Sequence, residues 1–124
     1  MQSAVSRLVS VLALATALAA GCGSSTQRLS VSKVERAYRA SGLRPIANIA
    51  VKTPKSWLGD FYIGDPEPAA HVTIFKTEQD AQRATGSGVW RTVRRRNVVV
   101  TFFIGDSRVQ ARIEHVLDRL VARP

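Results

Sequence analysis

The sequence predicts an α+β domain in which a small antiparallel sheet carries its helices packed on one face. Three observations predict it. Apolar residues recur at helical spacing near residue 31 and again beyond Asp106, and both segments carry helix-end signals. Several short β-prone stretches lie between them, separated by Gly, Pro and Asp. Val98 to Ile104 is nearly continuous in apolar residues, as a central strand buried on both faces requires. Together these give the order α-β-β-α-β-β-α.

Taken in order, the first helix is expected over 31–41. Ser32-Lys33-Val34-Glu35 fits a capping box, and Val31, Val34, Ala37 and Tyr38 share one face. Gly42 suits the left-handed position after the helix, with Leu43 folding back and Pro45 preventing continuation. A short strand follows from Ile46 to Val51. The stretch from Thr53 to Pro68 holds three prolines, two Gly-Asp pairs and the apolar cluster Trp57-Leu58-Phe61-Tyr62-Ile63, which suits either a turn of helix or a short strand. Ala70 to Phe75 reads as a strand. Thr77-Glu78-Gln79-Asp80 is a second capping box, opening a short helix through Ala84 that Gly86-Ser87-Gly88 ends. Strands Val89–Arg94 and Val98–Ile104 are joined by a hairpin at Arg95-Arg96-Asn97. Asp106 caps the last helix, whose stripe is Val109, Ile113, Val116, Leu117 and Leu120.

Upstream of the domain the chain reads as an export signal. Arg7 is the sole charge before Cys22, and the 13 residues Leu8 to Ala20 are apolar except for Ser10 and Thr16. A spanning helix needs about 20 apolar residues, so this run fits the core of a signal peptide covering 1–21. The only cysteine, Cys22, stands where that run ends, in Leu18-Ala19-Ala20-Gly21-Cys22. This pentapeptide resembles the lipobox of bacterial lipoproteins, with leucine one position earlier than is usual. The resemblance implies that Cys22 is lipidated, becomes the first mature residue and holds the protein on the extracytoplasmic side of the cell membrane. Each buried CH₂ adds about 0.8 kcal/mol, so two or three acyl chains, palmitate among them, anchor a protein essentially permanently. Ala17-Leu18-Ala19 is also a site for ordinary signal peptidase; cleavage after Ala19 gives a soluble secreted binding protein with a free thiol at Cys22.

Cys22 to Pro124 leaves 103 residues, enough for one domain over 31–124 preceded by a tether over 22–30. The eight residues from Cys22 to Ser30 span about 16 Å as random coil, which keeps the domain near the membrane. A lipidated Cys22 forms no disulfide, so stability rests on packing. The part after the signal carries 17 Lys+Arg against 9 Asp+Glu, a net charge of +8. That excess attracts anionic lipid headgroups or envelope polymer. Arginine outnumbers lysine 14 to 4, a bias that base composition alone also produces. Export argues against nucleic acid as the partner. The densest cluster is Arg91, Arg94, Arg95 and Arg96, either an anionic-surface contact or a solvated turn that discourages edge pairing.

Candidate chemistry is sparse. Gly105-Asp106-Ser107 resembles the nucleophile block of GDS-type esterases, which implies a downstream Asp and His. His115 and Asp118 occur in reverse order, and eight helical residues separate Ser107 from His115 by about 12 Å, too far for a hydrogen bond. Asp106 as a helix cap accounts for the motif. His71 and His115 are the only histidines, without the ligands a zinc site wants, and are expected at the surface or an edge. Asp60, Asp65 and Glu67 share a Gly/Pro-rich loop and read as turn chemistry rather than a calcium loop. Trp57, Phe61 and Tyr62 either line a groove or cover one end of the core. The expected function is a non-catalytic binding or accessory role in the cell envelope, without metal or cofactor. The build is similar to the small uncharacterised lipoproteins of high-GC Gram-positive bacteria.

Overall fold

The computed structural model describes residues 28–48, 52–86, 88–103 and 105–122. Cys22, the signal segment, Ile49 to Val51 and Ile104 lie outside them. The described elements are α1 (Val31–Ala40), β1 (Arg44–Ala47), β2 (Trp57–Gly64), β3 (Pro68–Phe75), α2 (Glu78–Ala84), β4 (Arg91–Arg95), β5 (Val98–Phe102) and α3 (Ser107–Ala122). All five strands join one sheet in the order β1-β2-β3-β5-β4, and every pairing is antiparallel. The α+β class with an antiparallel sheet is thus as expected, and the chain adds one strand, because Trp57 to Gly64 is extended.

Period-two alternation sorts the sheet into two faces. Phe61, Ile63, Ala70, Val72, Ile74, Val98, Val100 and Phe102 point to the side covered by α1 and α3, where Val34, Tyr38, Ile113 and Leu117 complete the main core. The alternate side carries a smaller cluster of Phe75, Val99 and Ala81, edged by Trp57 and Ala84. The short α2 therefore packs on the face opposite α1 and α3. β5 lies between β3 and β4 with Val98, Val99 and Val100 all buried, the doubly covered strand that its apolar run predicts.

Local signals explain most boundaries. α1 is capped by Ser30, whose Oγ accepts from Lys33 N–H at 3.2 Å, rather than by Ser32. The cause is tertiary: Leu29 is 1% exposed, and its burial brings Ser30 into the cap position. Gly42 at φ +80° ends α1 in a Schellman motif, with Leu43 N–H donating to the Tyr38 carbonyl and Gly42 N–H to that of Arg39. Thr77 caps α2 through Asp80 N–H, and Asp106 Oδ1 caps α3 through the N–H groups of Arg108 and Val109. Gly64 must be glycine, because a Cβ there would run into the backbone of Glu67.

The β4–β5 hairpin turns through Arg96 and Asn97, with Arg95 paired to Val98. Arg96, not Asn97, takes the left-handed conformation, at φ +53°. Asn97 is instead drawn inward and is 1% exposed. Its Oδ1 accepts from Leu29 N–H at 2.8 Å, and its Nδ2 donates to the carbonyls of Leu29 and Phe75, each at 2.9 Å. One turn side chain thus ties Leu29, just before α1, to the hairpin and to β3. Residues 28–30 of the expected tether belong to the folded part.

Candidate functional site

α2 covers only one end of its face of the sheet. The cross-strand rows on that face run Asp60–Thr73–Val99–Arg94 and Tyr62–His71–Thr101–Thr92. Asp60 and His71 therefore sit on adjacent strands, diagonally disposed, and their side chains meet. His71 Nε2 lies 2.7 Å from Asp60 Oδ2, and Asn48 Nδ2 donates to the same oxygen at 2.8 Å. An ionised carboxylate only accepts, so Nε2 carries the proton; in the neutral ring Nδ1 is then an acceptor. The pair is half-buried, with side-chain exposures of 21% for His71 and 10% for Asp60.

Aromatic rings extend this pair into a row. The His71 ring lies 4.8 Å from that of Tyr62 at 31° and 5.9 Å from that of Trp57. Tyr62 in turn meets Phe103 edge-on at 6.0 Å. Trp57, Tyr62, His71 and Phe103 are all partly exposed, whereas Phe61 of the same strand is buried on the opposite face against Tyr38. Ring faces beside a fixed carboxylate, an amide and an imidazole offer both stacking and directional hydrogen bonds. Nucleophilic catalysis needs a hydroxyl or thiol in hydrogen-bond reach of the base. Among the described residues, no serine or cysteine makes such a bond with His71.

Two expectations change here, and one open choice is decided. Asp60 is not part of a turn with Asp65 and Glu67 but a strand residue bonded to His71. His71 is not an edge residue, because β3 lies between β2 and β5. Trp57, Phe61 and Tyr62 lie on β2, the strand of the two alternatives their sequence suits, and alternation sends Phe61 to the core and Tyr62 to the open face. The signal for this is present in Asp60-Phe61-Tyr62-Ile63 and Ala70-His71-Val72-Thr73, where polar and apolar residues alternate. Which two strands pair, and in which register, is not.

The other candidates sit apart. Ser107 is exposed in the first turn of α3 and His115 is exposed on the same helix. Asp118 is taken by Arg95, whose Nε donates to it at 2.6 Å. Asp65 is ion-paired with Arg112. The arginine cluster is divided by the fold. Arg91 lies at the start of β4, over the Phe102 ring, and bonds Gln110 and Glu114 of α3. Arg94, Arg95 and Arg96 gather at the hairpin. Arg94 pairs with Glu78, and Arg96 Nη2 donates to the Val121 carbonyl. Among the described residues, no three His, Cys, Asp or Glu side chains group so as to hold a metal ion. No described helix is long and apolar enough to cross a membrane.

A shallow groove of about 170 Å³ runs between α1 and α3, lined by Ala37, Ala40, Val116 and Leu120 together with Ser41 and Arg119. No family model, no curated protein and no solved structure matches this chain.

Proposed function

We propose that this protein is an envelope lipoprotein, exported and held through a lipidated Cys22, with a domain that binds rather than catalyses. Anchoring rests on the apolar leader ending at Leu18-Ala19-Ala20-Gly21-Cys22. Binding rests on one observation: the half of the sheet face left open by α2, where Trp57, His71, Tyr62 and Phe103 align beside Asp60 and Asn48. A non-catalytic role fits the placement of Ser107 and His115 on one helix and the use of Asp118 by Arg95.

Membrane fractionation of wild type and Cys22→Ala, each washed at low and high salt, tests the anchor. Wild type is expected to stay bound at high salt and the variant to be released. A wild type that is soluble, with a titratable thiol, overturns the anchor in favour of a secreted protein cleaved after Ala19. The binding face is read separately by fluorescence. In a Trp90→Phe background Trp57 is the remaining tryptophan, 5.9 Å from His71. Titration with purified envelope polysaccharide is expected to shift its emission, and Tyr62→Ala to weaken binding by about tenfold, the loss of one stacking contact of about 1–1.5 kcal/mol. An emission change that survives Tyr62→Ala unaltered removes this face as the site.

A further inference from the structure

Arg28 and Leu29 lie at the end of the sheet where positive charge gathers. Leu29 is tied to Asn97, Arg28 Nη1 donates to the Lys76 carbonyl at 3.2 Å, and Lys76 N–H donates to the Ser56 carbonyl at 2.8 Å. Residue 28, the 55–56 turn, Lys76 and the β4–β5 hairpin therefore share one end. Arg28, Lys55 and Lys76 are exposed there, beside the half-buried Arg94, Arg95 and Arg96. Glu78 and Asp118 are the ion-pair partners of Arg94 and Arg95, and Asp80 of α2 is matched by Arg83 of the same helix. The excess at this end is positive. At the opposite end Arg112 pairs with Asp65 and Arg91 with Glu114, and Arg44 and Arg108 stand there with Glu67 and Asp106, so the charges are equal in number. The charge of the domain is polarised along its strands.

We propose that the basic hairpin end is a docking surface for the anionic headgroups of the membrane in which Cys22 is anchored. The inference rests on the lipoprotein reading for where the membrane lies. Only six residues lead from Cys22 to Arg28, a reach of at most about 21 Å. The acyl chains therefore hold this end, and not the balanced one, within a short distance of the headgroups, where each Lys or Arg strengthens association about fivefold. Docked this way, the domain stands with its strands pointing away from the bilayer. His71 lies four residues up β3 from Phe75, about 13 Å, so Tyr62 and Phe103 face sideways above the headgroups and stay open to a ligand.

Full-length chain from cell-free synthesis, which carries no acyl group, tests the surface by co-sedimentation with two kinds of vesicle. One kind is pure phosphatidylcholine; in the other, part of it is replaced by phosphatidylglycerol. The leader with Arg7 is the same in every variant, so comparing the ratio of the two affinities between variants isolates the domain's own contribution. At low salt the ratio is expected to favour the anionic vesicles and to fall about 25-fold in Lys55→Gln/Lys76→Gln, while Arg44→Gln/Arg108→Gln leaves it unchanged. High salt abolishes the preference. No anionic preference, or equal losses from the two ends, overturns the proposal. Mass analysis of Cys22 from cell membranes is read independently: a bare thiol there ends the anchor, while the vesicle ratio still decides whether the basic end recognises headgroups.

Discussion

Asn97→Ala is expected to lower the stability of the domain by about 3–5 kcal/mol, because one truncation strands three buried backbone groups. Leu29 N–H, the Leu29 carbonyl and the Phe75 carbonyl all have the Asn97 side chain as partner, at 2.8–2.9 Å. Each orphaned group costs about 1–3 kcal/mol, and Asn97 is buried, so water does not readily replace the amide. In urea, with a slope of about 1 kcal/mol per molar, the midpoint drops by about 3–5 M, close to the whole stability of a domain this size. Asn97→Asp is not a rescue: a carboxylate accepts from Leu29 N–H but repels the two carbonyls. Amide exchange locates the damage, since Leu29 N–H is expected to lose protection first. A shift below about 1 M would show that the chain start is held by Leu29 packing alone.

Tyr38→Phe is expected to act in the opposite direction. Tyr38 is fully buried at the α1–sheet contact, edge-on to Phe61 at 6.1 Å, and its hydroxyl has no hydrogen-bond partner among the described residues. Removing an unsatisfied hydroxyl while keeping the ring stabilises the fold by about 1 kcal/mol, or about 1 M in urea at neutral pH. Burial also pushes the phenol well above the ordinary value of 10.0. The folded state then holds a proton that the unfolded chain has released. Wild-type stability is at its full value below pH 10 and falls as pH rises between the unfolded and the folded values, by about 1.4 kcal/mol at pH 11. The phenylalanine variant has no such proton to lose. The gap between variant and wild type is therefore expected to widen from about 1 to about 2.5 kcal/mol between pH 7 and pH 11. A gap that stays constant, or a variant less stable at neutral pH, would mean that the hydroxyl is satisfied in solution.

Much of the fold is legible because its signals are local. Caps at Thr77 and Asp106, the Gly42 stop and the apolar run of β5 each act within a few residues, and the structure uses all of them. The cap of α1 lies two residues before the position its capping box suggests, because Ser30 and Ser32 are locally equivalent. Only the burial of Leu29 against Asn97, 68 residues away, separates them. Trp57 to Gly64 is ambiguous in sequence because a Gly-punctuated apolar cluster suits a turn or a strand equally. Pairing with β1 and β3 makes it a strand.

The candidate site is illegible for a related reason. Asp60 and His71 read separately as a turn carboxylate and a surface imidazole. Their hydrogen bond exists only because β2 and β3 pair with Tyr62 opposite His71, and a register slip of one residue would put the two side chains on opposite faces. The same holds for the arginines. Adjacent in sequence, they are divided by the sheet between Glu114, Glu78 and Asp118.

The sequence by itself determined the expectation of an export signal with its single cysteine, the α+β class and the helix ends, because composition and short-range spacing carry them. Only the tertiary structure decided that Asn97 fastens Leu29, that the open face gathers an aromatic row around Asp60 and His71, and that Arg28 lies at the basic end of the sheet. Those arrangements depend on long-range strand register, whose energy comes from burying one face of the sheet and is written in no single stretch of residues.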